Sequence, residues 1–456
     1  MTFSTLRSTP RPRRRSIAVG GLAALVSVAL AACGGPSASD SPSAASNISA
    51  GSGTGTLKVW ALDGQSAENT AIQKIVSDFE SSHPDIKVKM QFLPADSFAK
   101  ALQTSSPADL PDVLEVDGPQ IANLAYGQKI APLSDYVSEA TVQNQTDAVK
   151  GQNTVDGKLY AVSMMNSGLA MWGNKKLLDK AGVTMPKSAS EAWTADEFTE
   201  VLRKLSAVVP NGKPLGIAEN NGLSSEYGIY GFSPVLWSAG TPMIANGKAS
   251  GALDSDTAVN ALKKFASWKQ FTNPDGDGTA FQSGQVALNW MGNWMYPAYD
   301  KALGNDLVVG PLPNFGKGAK TGSGTIAWSL GGHTKNGAAA GKLLDFLMSD
   351  PVVSTYTAAN GAPPATKTTA ASSPLYGAGK PLAFLRDQLD AACPTEDRLT
   401  KQCVAVSRPV TAGYPVVTSS FGKALTAIWG GADVAASLQA AARAIDRDFV
   451  DNNNYK

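Results

Sequence analysis

Between Leu57 and Gly118 the chain switches repeatedly between two periodicities, and few folds accommodate that. Leu57 to Leu62 alternates in the manner of a strand and closes on a turn at Asp63-Gly64. Ile72, Ile75, Val76 and Phe79 then recur at helical spacing until His83-Pro84-Asp85 stops the helix. Ile86 to Phe92 is a second alternating strand, and Ser97 to Gln103 a short helix with Asp96 as its expected cap. Pro111 to Val116 is a third strand, ending at Asp117-Gly118. Strand, helix, strand, helix, strand implies parallel pairing with helices on the faces of the sheet. Ligands of such sheets bind beyond the carboxyl ends of the strands. That places Trp60, Asp63 and Gly64 at one mouth and Asp117, Gly118 and Gln120 at another. Asp63 and Asp117 read equally well as turn formers.

A second feature concerns ligand chemistry. In Ala280–Tyr299, Phe281, Gly284, Ala287 and Leu288 fit a helix start followed by a short strand, which turns at Gly292 and presents Trp294. Glycine at a turn permits close backbone approach. The indole after it offers a flat apolar face with one N–H donor. Such a pair, with Asn293 between, suits a sugar ring, which has a C–H-rich face and a rim of hydroxyls. The bland reading of Trp290 and Trp294 is core, where tryptophan is usually found. Tyr227 to Ala239 holds four aromatics among small residues. There Gly228, Gly231 and Pro234 argue against one long straight helix and leave Tyr230 as a candidate cleft residue.

Elsewhere the pattern is of structure rather than chemistry. Val155 to Tyr160 is a turn leading into a strand, and Leu169 to Trp172 is apolar up to Asn174-Lys175. Thr194 and Glu197 have capping-box spacing, with Trp193 beside the cap and Phe198, Val201, Leu202 and Leu205 inward. Asp254 to Phe271 is a further helix, Val308 to Leu312 a strand, and Thr325 to Leu330 runs into Gly331-Gly332. Ala338 to Met348 is a helix ended by Asp350-Pro351. Phe421, Leu425, Ile428 and Trp429 form one helical face, so Trp429 is expected in the core.

With 456 residues the chain has room for two or three domains. Its amino-terminal segment reads as targeting. Arg11 to Arg15 precede the apolar run Ile17–Ala32, too short to span a bilayer but right for a secretory segment. Leu30-Ala31-Ala32-Cys33 resembles a bacterial lipobox, so residues 1–32 are expected to be removed and Cys33 lipidated. The alternative is an ordinary signal peptide, and Arg13-Arg14 leaves a twin-arginine route open. Residues 33–56 are rich in Ser, Ala, Gly and Thr, as a flexible tether is. Without the arginines of residues 1–32, acids outnumber bases, which leaves no electrostatic footprint for nucleic acid. Cys393 and Cys403, ten apart in a polar loop with no histidine near, read as a disulfide. His83 and His333 show no zinc-ligand spacing, although His333 follows Gly332. No phosphate-cradling glycine motif occurs, and Asp275-Gly276-Asp277-Gly278 departs from a calcium loop and reads as a turn.

These pieces in this order resemble the extracellular solute-binding proteins of ABC importers, in the sugar-binding group that includes maltose-binding protein. The resemblance covers about residues 57–449. It rests on the lipobox, strand 57–62, Pro111-Asp112-Val113, Asp156 to Tyr160, Asn174-Lys175, the Trp193 to Phe198 cap, and Phe281-x-x-Gly284-x-x-Ala287-Leu288 followed by Gly292-x-Trp294. Gly331-Gly332 and Arg408-Pro409 with Tyr414 complete it. It implies an α/β fold of two lobes, each a mixed, mostly parallel sheet flanked by helices, with the ligand cleft between them. Lobe one would be 57–163 plus 308–350, and lobe two 164–307 plus 351–456. Trp294 would stack on a sugar ring and Asp117 would bridge two hydroxyls. Trp60, Asp63, Gly64, Trp172, Tyr230, Asn293, Gly332, Arg408 and Tyr414 would line the same cleft. Where the family usually has Tyr before Asn174-Lys175, this chain has Gly173. The expected partners are a carbohydrate, the importer's permease subunits and, through Cys33, a membrane. The protein would be a monomer with no nucleic acid, no cofactor and no catalysis. Two alternatives stand beside it: a receptor for a phosphorylated polyol, resting on Arg408, and a glycosidase, resting on Asp63 and Asp117 roughly 5–10 Å apart.

Overall fold

A computed structural model describes residues 48–455. Residues 1–32, expected as a signal segment, and Cys33 lie outside the described residues. Along the chain the first strands are β1 (Gly55–Leu62), β2 (Ile86–Leu93), β3 (Val113–Asp117) and β4 (Ile130–Ala131), then a small hairpin of β5 (Thr154–Val155) and β6 (Lys158–Leu159), then β7 (Ala161–Val162). They continue with β8 (Ser167–Asn174), β9 (Leu215–Gly216), β10 (Leu288–Gly292), β11 (Leu307–Gly310), β12 (Thr321–Gly324), β13 (Ile326–Gly331) and β14 (Ala405–Ser407).

The first sheet has the order β2-β1-β3-β13-β4, with β7 also on β13. β1, β2 and β3 are parallel, as the alternating pattern requires. Helices cover both faces. Leu57, Val59 and Ala61 point into one layer with Ile72, Ile75 and Phe79. Trp60 and Leu62 point into the other, with Phe98 and Leu102. That is the period of two at work. The helix over Phe98 begins at Ala95, with Pro94 rather than Asp96 at its N-cap. The last part of the expected tether is not free, because Gly337 and Ala338 donate to the carbonyls of Ser49 and Ala50.

The second sheet has the order β14-β12-β8-β10-β9, with β11 also on β8. All eight residues of β8 are buried, so its apolar run is that of a central strand. Its pairs with β10, β11 and β12 are antiparallel, so both sheets are mixed rather than mostly parallel. Gly173 is explained here: a Cβ would lie 2.5 Å from Met185 Cε, which fills the space a larger side chain would need. The capping box of Thr194 and Glu197 is present. Trp290, Trp268 and Trp429 pack with Phe232 and Phe265 in the core. Against expectation, Glu226–Ala239 is one helix with Pro234 inside it. Its glycines are there for packing: a Cβ on Gly228 would meet the Leu223 carbonyl at 1.9 Å.

The chain passes between the sheets at Val162–Ser167 and at Gly324–Ile326. It passes again after the helix Lys367–Ser372, which bonds to Asn144 and Asp350 of lobe one before Tyr376 joins the second core. The expected partition is therefore corrected twice. β11 and β12 pair with β8, so residues 308–324 go with the second sheet. Asp350-Pro351 does not simply stop a helix. Pro351 sits in the first turn of the helix Asp350–Asn360, where its missing N–H is harmless, and Val352, Val353 and Tyr356 pack into the first core.

Cys393 and Cys403 are bonded, with Cα atoms 4.8 Å apart. Their loop carries Glu396, whose carboxylate accepts from Trp237 Nε1 at 3.1 Å and Ile244 N at 3.0 Å. Burial pushes Glu396 up to about 7. The C393S/C403S variant is expected to lose about 2–4 kcal/mol of stability, the scale for releasing a short closed loop, measured by urea unfolding of the oxidised wild type against the variant.

Candidate ligand-binding site

The carboxyl ends of β1 and β3 face lobe two at one place. Asp117, the last residue of β3, meets Arg408, which follows β14. The guanidinium holds both carboxylate oxygens, Nη2 to Oδ1 at 2.8 Å and Nη1 to Oδ2 at 3.0 Å. Nη1 also donates to Glu226 Oε1 at the start of the proline-containing helix. Tyr414 Oη donates to that same oxygen, and Thr418 Oγ1 donates to Glu226 Oε2 at 2.9 Å. Arg408 is 4% exposed. Burial opposes its charge, but Asp117, with Tyr414 and Glu226, more than offsets this and holds it above its ordinary range. Burial pushes Glu226 up, against the downward pull of Arg408.

The Tyr230 ring lies under that guanidinium, 4.9 Å from its centroid. Its hydroxyl pairs with Ser167 Oγ at 3.0 Å, on one inter-lobe passage. Gly322 and Gly324 leave the room it needs, since a Cβ on either would lie about 3 Å from the ring. Trp294 follows, 6.0 Å from Tyr230 at a 40° tilt and half-buried. Gly292 is required beneath it: a Cβ there would be 2.0 Å from the indole. The glycine thus admits the tryptophan itself. Across the gap, Gln65 Nε2 donates to the Trp294 carbonyl at 3.2 Å, next to exposed Asp63 and Gly64. Asn123 Nδ2 reaches the Ala412 carbonyl at 2.6 Å. Contacts thus link Asp117 to Arg408, Arg408 to Tyr230, Tyr230 to Trp294, and Trp294 through Gln65 to the turn at Asp63-Gly64; Tyr230 itself is buried, 6% exposed, in the second core.

Five expected residues do not join them. Trp172 is fully buried, its indole N–H spent on the Met291 carbonyl and its ring against Tyr299. Tyr414 is fully buried on Glu226. Asn293 is fully buried, and its Oδ1 accepts from Gly168 N at 2.9 Å, which makes it a brace of the passage. Trp60 lies opposite Leu114 in mid-strand, its ring in the helix layer, short of the mouth. Gly332 fails through strand direction. β13 runs antiparallel to β3, with Ile326 beside Asp117 and Leu330 beside Val113. Gly332 and His333 therefore sit at the far end of the sheet, where Gly332 N donates to the Lys129 carbonyl.

Sequence reasoning missed Glu226 and Glu115. Glu115 lies within β3, 4% exposed, and accepts from Leu62 N at 2.6 Å. Burial, opposed by that bond and reinforced by Glu68, pushes it up to about 8. A lone acid in an apolar strand was the available signal. A groove of about 970 Å³ also lies between the lobes, lined by Asp147, Gln152, Asn246, Glu396 and Thr411 among others. It shares Arg408 with the cleft but not Asp63, Gly64, Tyr230 or Trp294. Size alone would favour the groove. The groove also offers charged and polar groups and Phe449, whereas the strand ends offer Asp63, Gly64 and the Trp294 indole.

This architecture and cleft define a two-lobed binding protein. The profile of the family described as bacterial extracellular solute-binding protein matches residues 63–353, and the chain belongs to that family. It is 26% identical over 372 residues to the diacetylchitobiose binding protein DasA of Streptomyces coelicolor, covering 77% of this chain and 82% of that one. It is 24% identical over 373 residues to the multiple sugar-binding protein of Streptococcus mutans, covering 77% and 83%. In structure it matches the maltose/maltodextrin-binding domain MalE of Bdellovibrio bacteriovorus bound to maltotriose, with a TM-score of 0.71 at 18% identity over 87% of this chain and 100% of that one. The GacH receptor of Streptomyces glaucescens gives 0.69 at 20% identity over 88% and 100%. These relatives are substrate-binding proteins, not enzymes. Among the described residues no helix is long and apolar enough to cross a membrane.

Two outcomes follow. Arg408→Met leaves Asp117 and Glu226 facing each other unpaired and is expected to cost about 3–5 kcal/mol in urea unfolding, with part recovered in R408M/E226Q. Glu115 is held at about 8 against an ordinary 4.5, so the native state keeps a proton that the unfolded state loses. Its contribution to stability is full below pH 4.5 and is lost as pH rises through 8. Urea midpoints measured across that window should fall with rising pH in the wild type and fall less in Glu115→Gln.

Proposed function

We propose that this chain is the substrate-binding component of an ABC importer, taking a carbohydrate of oligosaccharide type into the cleft and delivering it to the permease. The lipid on Cys33 and the tether after it hold the protein at the outer face of the cytoplasmic membrane. The observation that carries this reading is half-buried Trp294, with Tyr230 behind its indole, reached across the lobes by Gln65 beside the exposed Asp63-Gly64 turn. Aromatic faces stack on the C–H side of a sugar, and acid and backbone groups at the strand ends meet its hydroxyls. The names of the relatives, diacetylchitobiose binding and multiple sugar-binding, agree with it. The phosphorylated-polyol alternative is disfavoured because Arg408 is already neutralised by two carboxylates. The same ion pair removes Asp117 from the role a glycosidase would give it.

A thermal-shift panel of mono- and oligosaccharides against glycerol phosphates tests the reading. Stabilisation by a neutral sugar supports it, and stabilisation by the phosphates alone rejects it. Trp294→Ala should weaken the best sugar by about 1–3 kcal/mol in calorimetric titration, the loss of one buried aromatic contact. Unchanged affinity in a folded variant removes Trp294 from the site.

A further inference from the structure

We propose that the carboxyl end of β1 carries a subsite for the ammonium group of an amino sugar, floored by Glu115 and walled by Glu68. The inference deepens the carbohydrate reading and rests on it. A cavity of about 50 Å³ lies there, lined by Leu62, Gly64, Glu68, Asn69, Glu115 and Tyr356 among others. That is room for a water or a group of a few atoms. It reaches Gly64, which is exposed beside the Gln65–Trp294 contact that closes the cleft.

Glu115 is the second, independent observation. It is buried, its Oε2 accepts from Leu62 N, and its other oxygen has no hydrogen-bond partner among the described residues. The cavity reaches this side chain, so water or a ligand group meets its second oxygen there. Glu68 accepts from Asn360 Nδ2 at 3.1 Å and from Gln65 N at 2.8 Å, and Asp63 accepts from Asn69 Nδ2 at 2.6 Å. All these donors are neutral, and among the described residues no Lys or Arg pairs with Asp63, Glu68 or Glu115. Tyr356 faces the same space from the helix Asp350–Asn360. Burial first, then Glu115 and Glu68, hold its hydroxyl well above the ordinary range, so it stays neutral. The positive end of the helix Ser66–Ser82 offers only a partial charge. An ammonium brings a full charge and three N–H donors. A hydroxymethyl brings one donor and leaves the acids unpaired.

The arrangement also makes binding proton-linked. Glu115 in the empty protein holds its proton at neutral pH. An arriving ammonium favours the carboxylate, so that proton passes to solvent as the ion pair forms.

The test is calorimetry of the mature protein with a glucosamine disaccharide, its N-acetylated counterpart and the matching glucose disaccharide, at pH 6, where the amine and Glu115 both start protonated, in buffers of different ionisation enthalpy. The expected result is at least tenfold tighter binding of the free amine, with release of up to one proton that the neutral sugars do not cause. Glu115→Gln should abolish the release and cut the preference about tenfold. Glu68→Gln should cut the preference and serves if Glu115→Gln does not fold. Neutral sugars binding as well as the amine, or amine binding without proton release, overturns the subsite and leaves the carbohydrate reading standing. No binding of any of the three overturns both.

Discussion

A guanidinium taken out of water must find its counter-charges within reach, and Arg408 finds one in each lobe. Asp117 comes from the end of β3 and Glu226 from the helix behind β12, so the cost of burying the cation is offset only when the two sheets stand in one relation. Tyr414 and Thr418, from a single helix, both donate to Glu226, while Arg408 Nε has no partner among the described residues. The aromatic platform depends on the same group. Tyr230 lies against the guanidinium, Trp294 against Tyr230, and Gly292, Gly322 and Gly324 give these rings the volume they occupy. An electrostatic constraint between lobes thus fixes where the Tyr230 and Trp294 rings sit within one of them.

Much of this was legible in the residues, and the part that was not shares a cause. β1 to β3, the capping box of Thr194 and Glu197, and the bonded cysteines are local patterns, readable because each is settled within a few residues. Asp63 and Asp117 do end neighbouring parallel strands and Trp294 does follow the turn at Gly292, because strand ends and a glycine-tryptophan turn are local signals too. The errors come from pairings that no short window contains. Residues 308–324 join the second sheet because β11 and β12 find β8, more than a hundred residues earlier. Gly332 misses the cleft because β13 runs opposite to β3. Trp172 and Tyr414 carry polar handles, and in both the handle is spent inside the protein. Nothing in a sequence says which donors the fold will consume.

The place of the ion cluster also bears on how such a cleft works. Arg408 lies against Ser167 and Gly324, where two of the inter-lobe passages cross, and Asn293 braces Gly168 a step further on. A rotation about these passages moves groups near them little and groups at the rim much. The Gln65 bond to the Trp294 carbonyl and the Asn123 bond to the Ala412 carbonyl are single contacts that leave no charge unpaired when they part. The Arg408 cluster, with three charges and low exposure, is far costlier to separate. Any parting of the lobes would break these weak contacts first, with the cluster holding the base. Asp117 can then contribute to ligand binding only through the face that Arg408 leaves free. The strand end at Asp63 and Gly64 keeps its groups available, because every partner it has there is neutral. On the carbohydrate reading proposed above, discrimination between ligands falls to the β1 mouth and the indole, and the ion cluster supplies the fixed geometry against which they act.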